Sequence, residues 1–235
     1  MISFFIPIRK GSKRVINKNT RPILHFKKGL TEIKVRQLLK LKHLLKKENT
    51  KSLKEFEFVI STNCEKVKQF VKKFKWIKVH NRSKNLSMDD SLDKLCLEVP
   101  KICNGDYILW THVTSPNFTH IDYIDFLKKF FKKKKVDSKI KSSFSADLLQ
   151  KFLFSKKKKW LSHNAKKKKW PRTQDLLELY TANSAVFFAS RNVYSKYKDR
   201  LCNNPLPIIS KNNSGYDIDD LNDFKNFKKI IKNEN

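Results

Sequence analysis

Between residues 6 and 22 the chain reads IPIRKGSKRVINKNTRP, which gathers Arg9, Lys10, Lys13, Arg14 and Lys18 around Gly11 and Ser12. Cations at that density, beside a glycine that lets the backbone turn tightly and bring its amides to an anion, fit a triphosphate; a basic surface turn is the other reading. It is not a Walker loop, because GxxxxGK[ST] does not occur. Near the other end, Asp217 and Asp219 stand two residues apart in YDIDDLNDF. On a strand their side chains project to one face, so both carboxylates can meet one ion. Oxygen ligands with open positions suit Mg²⁺, which keeps waters and takes phosphate oxygens. The same residue type also fits a helix N-terminus, where a carboxylate accepts from free amides, and the two readings weigh equally on these residues alone. Asp220 and Asp223 are placed for the cap and the first turn.

Elements must hold these groups. Residues 2–8 (ISFFIPI) form a short apolar run that ends in a polar loop, as a buried strand does. A helix is predicted over 31–47, a strand over 55–61, and a helix carrying Val67, Phe70, Val71 and Phe74 at helical spacing. Then come a strand at 76–79, a helix at 89–103, a strand at 106–110 and a helix at 119–134. The chain becomes basic and hard to read until about residue 182, after which 184–190 is a strand. The segment 217–231 begins as a strand and becomes a helix bearing Phe224, Phe227 and Ile231. Strand–helix alternation predicts an α/β doubly wound, mostly parallel sheet in a single domain over 1–235. In such sheets ligands sit at the carboxyl ends of strands near the switch point, and the first loop lies there.

The loop pattern IPxRxGSKRxxNKN resembles the opening signature of the acylneuraminate cytidylyltransferases, the CMP–sugar-acid synthetases. Further segments resemble that family in the same order: FVISTNCEKV, NRSKNLSMDDS, WTHVTSP, WPRTQD, ANSAVFF and YDIDDLNDF. Each is weak alone, but together they span nearly the whole chain. The resemblance implies a Rossmann-type, nucleotide-diphospho-sugar transferase-like fold and a reaction. The anomeric hydroxyl of a nine-carbon-type sugar acid attacks the α-phosphorus of CTP, and pyrophosphate leaves. It implies nucleotide contacts from Arg9, Ser12, Lys13, Lys18 and Asn19, with Arg82 and Ser91 completing the cytidine pocket. Lys18 and Arg172 are the implied catalytic residues, Arg172 suiting the sugar carboxylate through its guanidinium fork. His112, Thr114, Gln174 and Asn183 are implied sugar readers, and Asp217 and Asp219 the Mg²⁺ ligands. Residues 140–182 match least; in the family this region is an extension reaching a second subunit, so a homodimer is expected.

The chain departs from the pattern in places. His112 replaces a usual Gln and brings a group whose charge ordinarily changes with pH. Asn63 replaces an Asp, Ile16 a Pro, and Ser184 a Gly, the last expected to narrow the sugar site.

Composition bounds the alternatives. Lys and Arg total 53 against 22 Asp and Glu, a formal charge of +31. There are 45 Lys but only 8 Arg, and 4 Gly where roughly 16 would be average. Lys, Asn, Ile and Phe have A/T-rich codons, so coding bias explains much of the charge. Residues 128–169 alone hold 17 Lys and 2 Asp, including three KKKK runs. No specific nucleic-acid partner is expected, because a phosphate reader favours Arg. The 18 Phe, 6 Tyr and 4 Trp oppose disorder. No apolar run reaches the roughly 18 residues of a membrane span, and the N-terminus lacks secretory order, so a cytoplasmic protein is expected. Four cysteines without a CxxC pair, and histidines without HExxH, argue against zinc and for reduced thiols. The rivals to a sialic-acid-type synthetase are a keto-deoxyoctulosonate-type synthetase, a non-catalytic binding paralogue and a nucleic-acid binder.

Overall fold

Residues 2–8 alternate large side chains to both faces of a sheet, and that alternation sets the architecture. In the computed structural model, which describes residues 1–88, 91–211 and 214–233, they form β1 (Ile2–Ile8). Ile2, Phe4, Ile6 and Ile8 enter one apolar cluster and Phe5 the other. Each such side chain contributes roughly 1.5–3 kcal/mol by leaving water. β1 pairs in parallel with β2 (Phe56–Thr62) and β4 (Tyr107–Thr111), and β2 pairs in parallel with β3 (Ile77–Asn81). Two further strands, β5 (Ser142–Leu149) and β7 (Leu206–Ile209), run parallel to one another, while β6 (Leu179–Ser190) is antiparallel to both β4 and β5. The order β3-β2-β1-β4-β6-β5-β7 reverses direction of growth between β1 and β4, which makes their carboxyl ends the switch point.

Helices cover both faces. α1 (Gly29–Lys47), α2 (Glu65–Val71), α4 (His120–Val136) and α6 (Leu221–Asn233) pack on the first cluster. α3 (Leu92–Ile102) and α5 (Arg191–Tyr197) pack on the second. α4 begins with a capping box in which Thr119 and Asp122 satisfy each other's amides. α6 begins with another: Asp220 Oδ1 accepts from the Asn222 and Asp223 amides, and Asp223 Oδ2 from those of Asp219 and Asp220. Asp220 and Asp223 therefore hold the capping roles their positions suggested.

The doubly wound, mostly parallel sheet matches the expectation, with corrections in the basic segment. β5 lies where the sequence is hard to read, because its run mixes Ser with apolar residues; β7 lies beyond that stretch and is a four-residue LPII run too short to signal a strand. β6 begins at Leu179, well before 184. Residues 216–219 are irregular rather than a strand, although the Ile218 amide still donates to Thr114 O at 2.8 Å. Asp89 and Asp90 of the NRSKNLSMDDS segment lie outside the described residues, and α3 starts after them.

Candidate active site

The first loop is shaped by its own polar groups. Gly11 has φ +94°, a left-handed value that favours glycine. Asn63, the Asp replacement, accepts from the Lys10 amide at 2.8 Å and so ties the loop to the end of β2. The Asn19 side chain donates to Arg9 O at 3.1 Å, while its own carbonyl accepts from Thr31 Oγ1 at 2.7 Å. Asn19 thus clasps the loop against α1 as well as lining the cleft behind it.

That cleft encloses about 260 Å³ at the carboxyl ends of β1 and β4. Nine residues expected from sequence line it: Arg9, Ser12, Lys13, Lys18, Asn19, Arg82, Ser91, His112 and Thr114. Arg82 is buried; its Nε and Nη2 donate to Ser61 Oγ at 3.2 Å and Ser61 O at 3.0 Å. Burial and the neighbouring Arg9 pull its pKa down to about 10, so it stays charged at neutral pH. Ser91 Oγ lies 2.9 and 2.6 Å from the Leu86 and Met88 carbonyls, fixing the turn before α3.

His112 behaves differently from the expectation of a pH-sensitive group. Trp110 Nε1–H donates to His112 Nε2 at 3.0 Å, which leaves the neutral ring carrying its proton on Nδ1. Burial, then the charges of Arg200, Lys34, Arg82 and Lys18, push its pKa down to about 3. The ring is a fixed neutral donor across the physiological range.

The carboxylate pair meets this cleft through Lys18. Lys18 Nζ donates to Ile218 O at 2.5 Å and lies 3.9 Å from Asp219 Oδ1. Desolvation lowers its pKa while Asp217 and Asp219 oppose that shift. Arg14 Nη2 pairs with Asp219 Oδ1 at 2.9 Å, but both side chains are more than half exposed, so the pair is worth roughly 0–1 kcal/mol and opens readily. Asp217 is half-buried beside Thr114, which hydrogen-bonds it, yet its solvent-shielded Oδ1 has no partner. Burial, and next the like charge of Asp219, raise its pKa. An orphaned buried carboxylate oxygen two residues from a second carboxylate suits a divalent cation, which reverses that penalty. Among the described residues no group of three or more His, Cys, Asp or Glu is placed to hold a metal ion by itself. An ion here would draw its remaining ligands from water and phosphate oxygens, the usual habit of Mg²⁺.

Three expected residues lie elsewhere. Arg172 and Gln174 sit on an exposed 3₁₀ turn of the segment between β5 and β6, and both nitrogens of the Arg172 fork donate to Asp175 at 3.0 Å. Asn183 is buried with all four hydrogen-bonding positions filled by Ser145, Ala185, Asp147 and Ser210. It also packs against Gly215, where any Cβ would stand 2.0 Å from its Nδ2. Within one chain Asn183 therefore has no hydrogen-bonding position open to a ligand. Ser184 is not among the cleft-lining residues either.

Two cationic residues were not assigned roles from sequence. Arg14 is the ion partner of Asp219, and Arg200 lies over Phe187 and near Trp110. The available signal was arginine itself, rare among so many lysines.

Comparison with known proteins agrees with this architecture. The sequence profile of the family described as cytidylyltransferase matches residues 3–229. No curated protein sequence matches significantly. Among solved structures, a CMP:2-keto-3-deoxy-manno-octonic acid synthetase complexed with CTP is similar at TM-score 0.64 and 13% identity, covering 100% of this chain and 99% of that one. A 4-diphosphocytidyl-2C-methyl-D-erythritol synthase from Anaerococcus prevotii DSM 20548 is similar at TM-score 0.63 and 11% identity, covering 98% and 96%. A cytidylyltransferase from Leptospira borgpetersenii serovar Hardjo-bovis (strain JB197) is similar at 0.57 and 15%, covering 98% and 86%. At these identities the structural likenesses establish the fold.

Proposed function

Because the chain belongs to the cytidylyltransferase family, we propose that it transfers CMP from CTP to the anomeric hydroxyl of a sialic-acid-like sugar acid. The observation that carries this reading is the meeting of the loop cations with the Asp217–Asp219 pair across Lys18, at the sheet's switch point. Arg9, Ser12, Lys13 and Lys18 neutralise and orient the triphosphate, and buried Arg82 with Ser91 encloses the cytidine. Asp217 and Asp219 would hold Mg²⁺, which when bound supplies positive charge to the phosphate oxygens. The sugar hydroxyl gives up its proton to water as its oxygen forms a bond to the α-phosphorus, the bond to the bridging oxygen breaks, and pyrophosphate departs with that electron pair. Lys18 sits where it stabilises the charge that develops on the phosphates. His112 and Thr114 offer donors to the sugar from the β4 side, His112 through Nδ1–H.

The WPRTQD and NKN elements favour a nine-carbon acid over keto-deoxyoctulosonate. A homodimer completes the proposal. The segment between β5 and β6 exposes Phe154, Leu161, Trp170 and Leu177, apolar surface that a second copy would cover. From there Arg172 and Gln174 would act on the neighbouring copy's cleft. The setting we infer is cytoplasmic; no helix among the described residues is long and apolar enough to cross a membrane.

Incubation with CTP, Mg²⁺ and a panel of sugar acids, with pyrophosphate measured, tests the reading. Release with one acid is expected, reduced by at least 10²-fold in Asp219→Ala, the scale of removing one transition-state charge partner. CTP binding without release across the panel would favour a non-catalytic paralogue.

A further inference from the structure

Arg200 follows α5, and its guanidinium lies 3.5 Å from the centroid of Phe187 and 5.3 Å from that of Trp110. Those two aromatics are direct partners across β4 and β6, so they form one floor beneath the cation. Trp110 also lines the cleft and holds the His112 ring; Arg200 stands behind Trp110 rather than among the lining residues, and after burial its charge is the largest influence lowering the pKa of that ring. Among the described residues no carboxylate forms a salt bridge with Arg200 and no acceptor takes a hydrogen bond from its guanidinium. The adjacent Asp199 instead accepts from the Arg200 backbone amide. The side chain is half-buried, and burial lowers its pKa.

A guanidinium in this setting gains from the ring faces, but its planar fork of donors meets no acceptor among the described residues. Arg172 presents the opposite case: its fork is already closed on Asp175 in a bidentate pair at 3.0 Å, and it is exposed. A carboxylate arriving on the Trp110–His112 side of the cleft would complete Arg200 bidentately, with His112 Nδ1–H as a neighbouring neutral donor. We propose that Arg200, rather than Arg172, anchors the carboxylate of the acceptor sugar acid against the Phe187–Trp110 floor. This rests on the cytidylyl-transfer reading above. It makes Arg200 a specificity residue that selects acids over neutral sugars of the same shape.

Steady-state pyrophosphate release decides it, using N-acetylneuraminate and keto-deoxyoctulosonate, each beside its methyl ester, with wild type, Arg200→Met and Arg200→Lys. Wild type should prefer an acid to its ester by 50-fold or more. In Arg200→Met that preference should collapse to a few-fold through the acid's KM, with the KM for CTP within twofold of wild type. Arg200→Lys keeps the charge without the fork and should fall between; it also serves if the Met variant does not fold. A merely structural arginine would not move the acid-to-ester ratio, and an unchanged ratio in a folded variant overturns the proposal while leaving cytidylyl transfer intact. If wild type releases no pyrophosphate with either acid, the sugar-acid reading falls and this inference falls with it.

Discussion

Ser184 occupies a backbone conformation with φ +62°, where a Cβ costs roughly 1–2 kcal/mol. Glycine avoids that strain but loses more freedom on folding, by about 0.5–1 kcal/mol. The difference predicts that Ser184→Gly stabilises the protein by about 0.5–1 kcal/mol, a rise of about 1–3 °C in the unfolding midpoint for a chain of this length. Thermal unfolding followed by circular dichroism checks it; a lower midpoint would mean that the hydroxyl makes a compensating contact. The substitution was visible in the sequence, but its consequence was not: it was expected to narrow the sugar site, and it instead loads the strand that carries Asn183. His112 teaches the same point. Residue type suggested a titrating group, whereas burial, then the surrounding cations, with the Trp110 donor on Nε2, fix it neutral. The loop cations were legible because a dense basic loop after a strand needs little context. Arg200 was not, because its meaning depends on Phe187 and Trp110 lying side by side across two strands.

At the scale of elements, α1 carries a buried lysine that pins the loop after β4. Lys34 Nζ donates to Ser115 O at 3.1 Å and to Tyr123 OH at 2.8 Å, and Tyr123 OH lies 2.6 Å from Thr111 Oγ1. The network joins α1, α4 and the strand end that presents His112 and Thr114. Burial pulls the Lys34 pKa from its ordinary 10.5 down to about 7, with Asp122 opposing the shift. The unfolded chain therefore binds more protons than the folded one between about pH 7 and 10.5, and stability from this group rises with pH across that window. Its slope approaches on the order of 1.4 kcal/mol per pH unit. Lys34→Met should lose this increment, so the denaturation midpoint of wild type should rise relative to that of the variant from pH 7 to 10. Parallel curves would mean that Lys34 is not desolvated as described. Periodicity had placed this helix correctly at 31–47 within two residues, yet a lysine within an apolar stripe gave no sign that its amine was internal. β5 escaped reading for a related reason: Ser142, Ser143 and Ser145 are buried against β6, β7 and Cys202 rather than facing water, so polarity hid a strand inside the sheet.

For the whole molecule, the question raised by +31 is where the charge acts. The runs at 156–159 and 166–169 lie on the same segment as the exposed Phe154 and Trp170, which pack edge-to-face with Phe152 and Trp160 into an aromatic knot outside the main sheet. If a second copy covers that knot, the lysines gather around the entry to its cleft, where they raise the local concentration of acidic substrates in a salt-dependent way. Light scattering should then give twice 27.9 kDa for wild type and one copy for the double variant Phe154→Glu/Trp170→Glu. Mass alone does not show a shared site, but complementation does. Asp219→Ala removes the cleft's own carboxylate, and Arg172→Ala removes the extension's contribution. Each homodimer should be nearly inactive. Refolded together, half the dimers would be mixed, each with one cleft intact and served by an intact extension, and activity should return to about a quarter of wild type. No recovery, with mixed dimers present by mass, would confine Arg172 to its own chain, where its fork already belongs to Asp175.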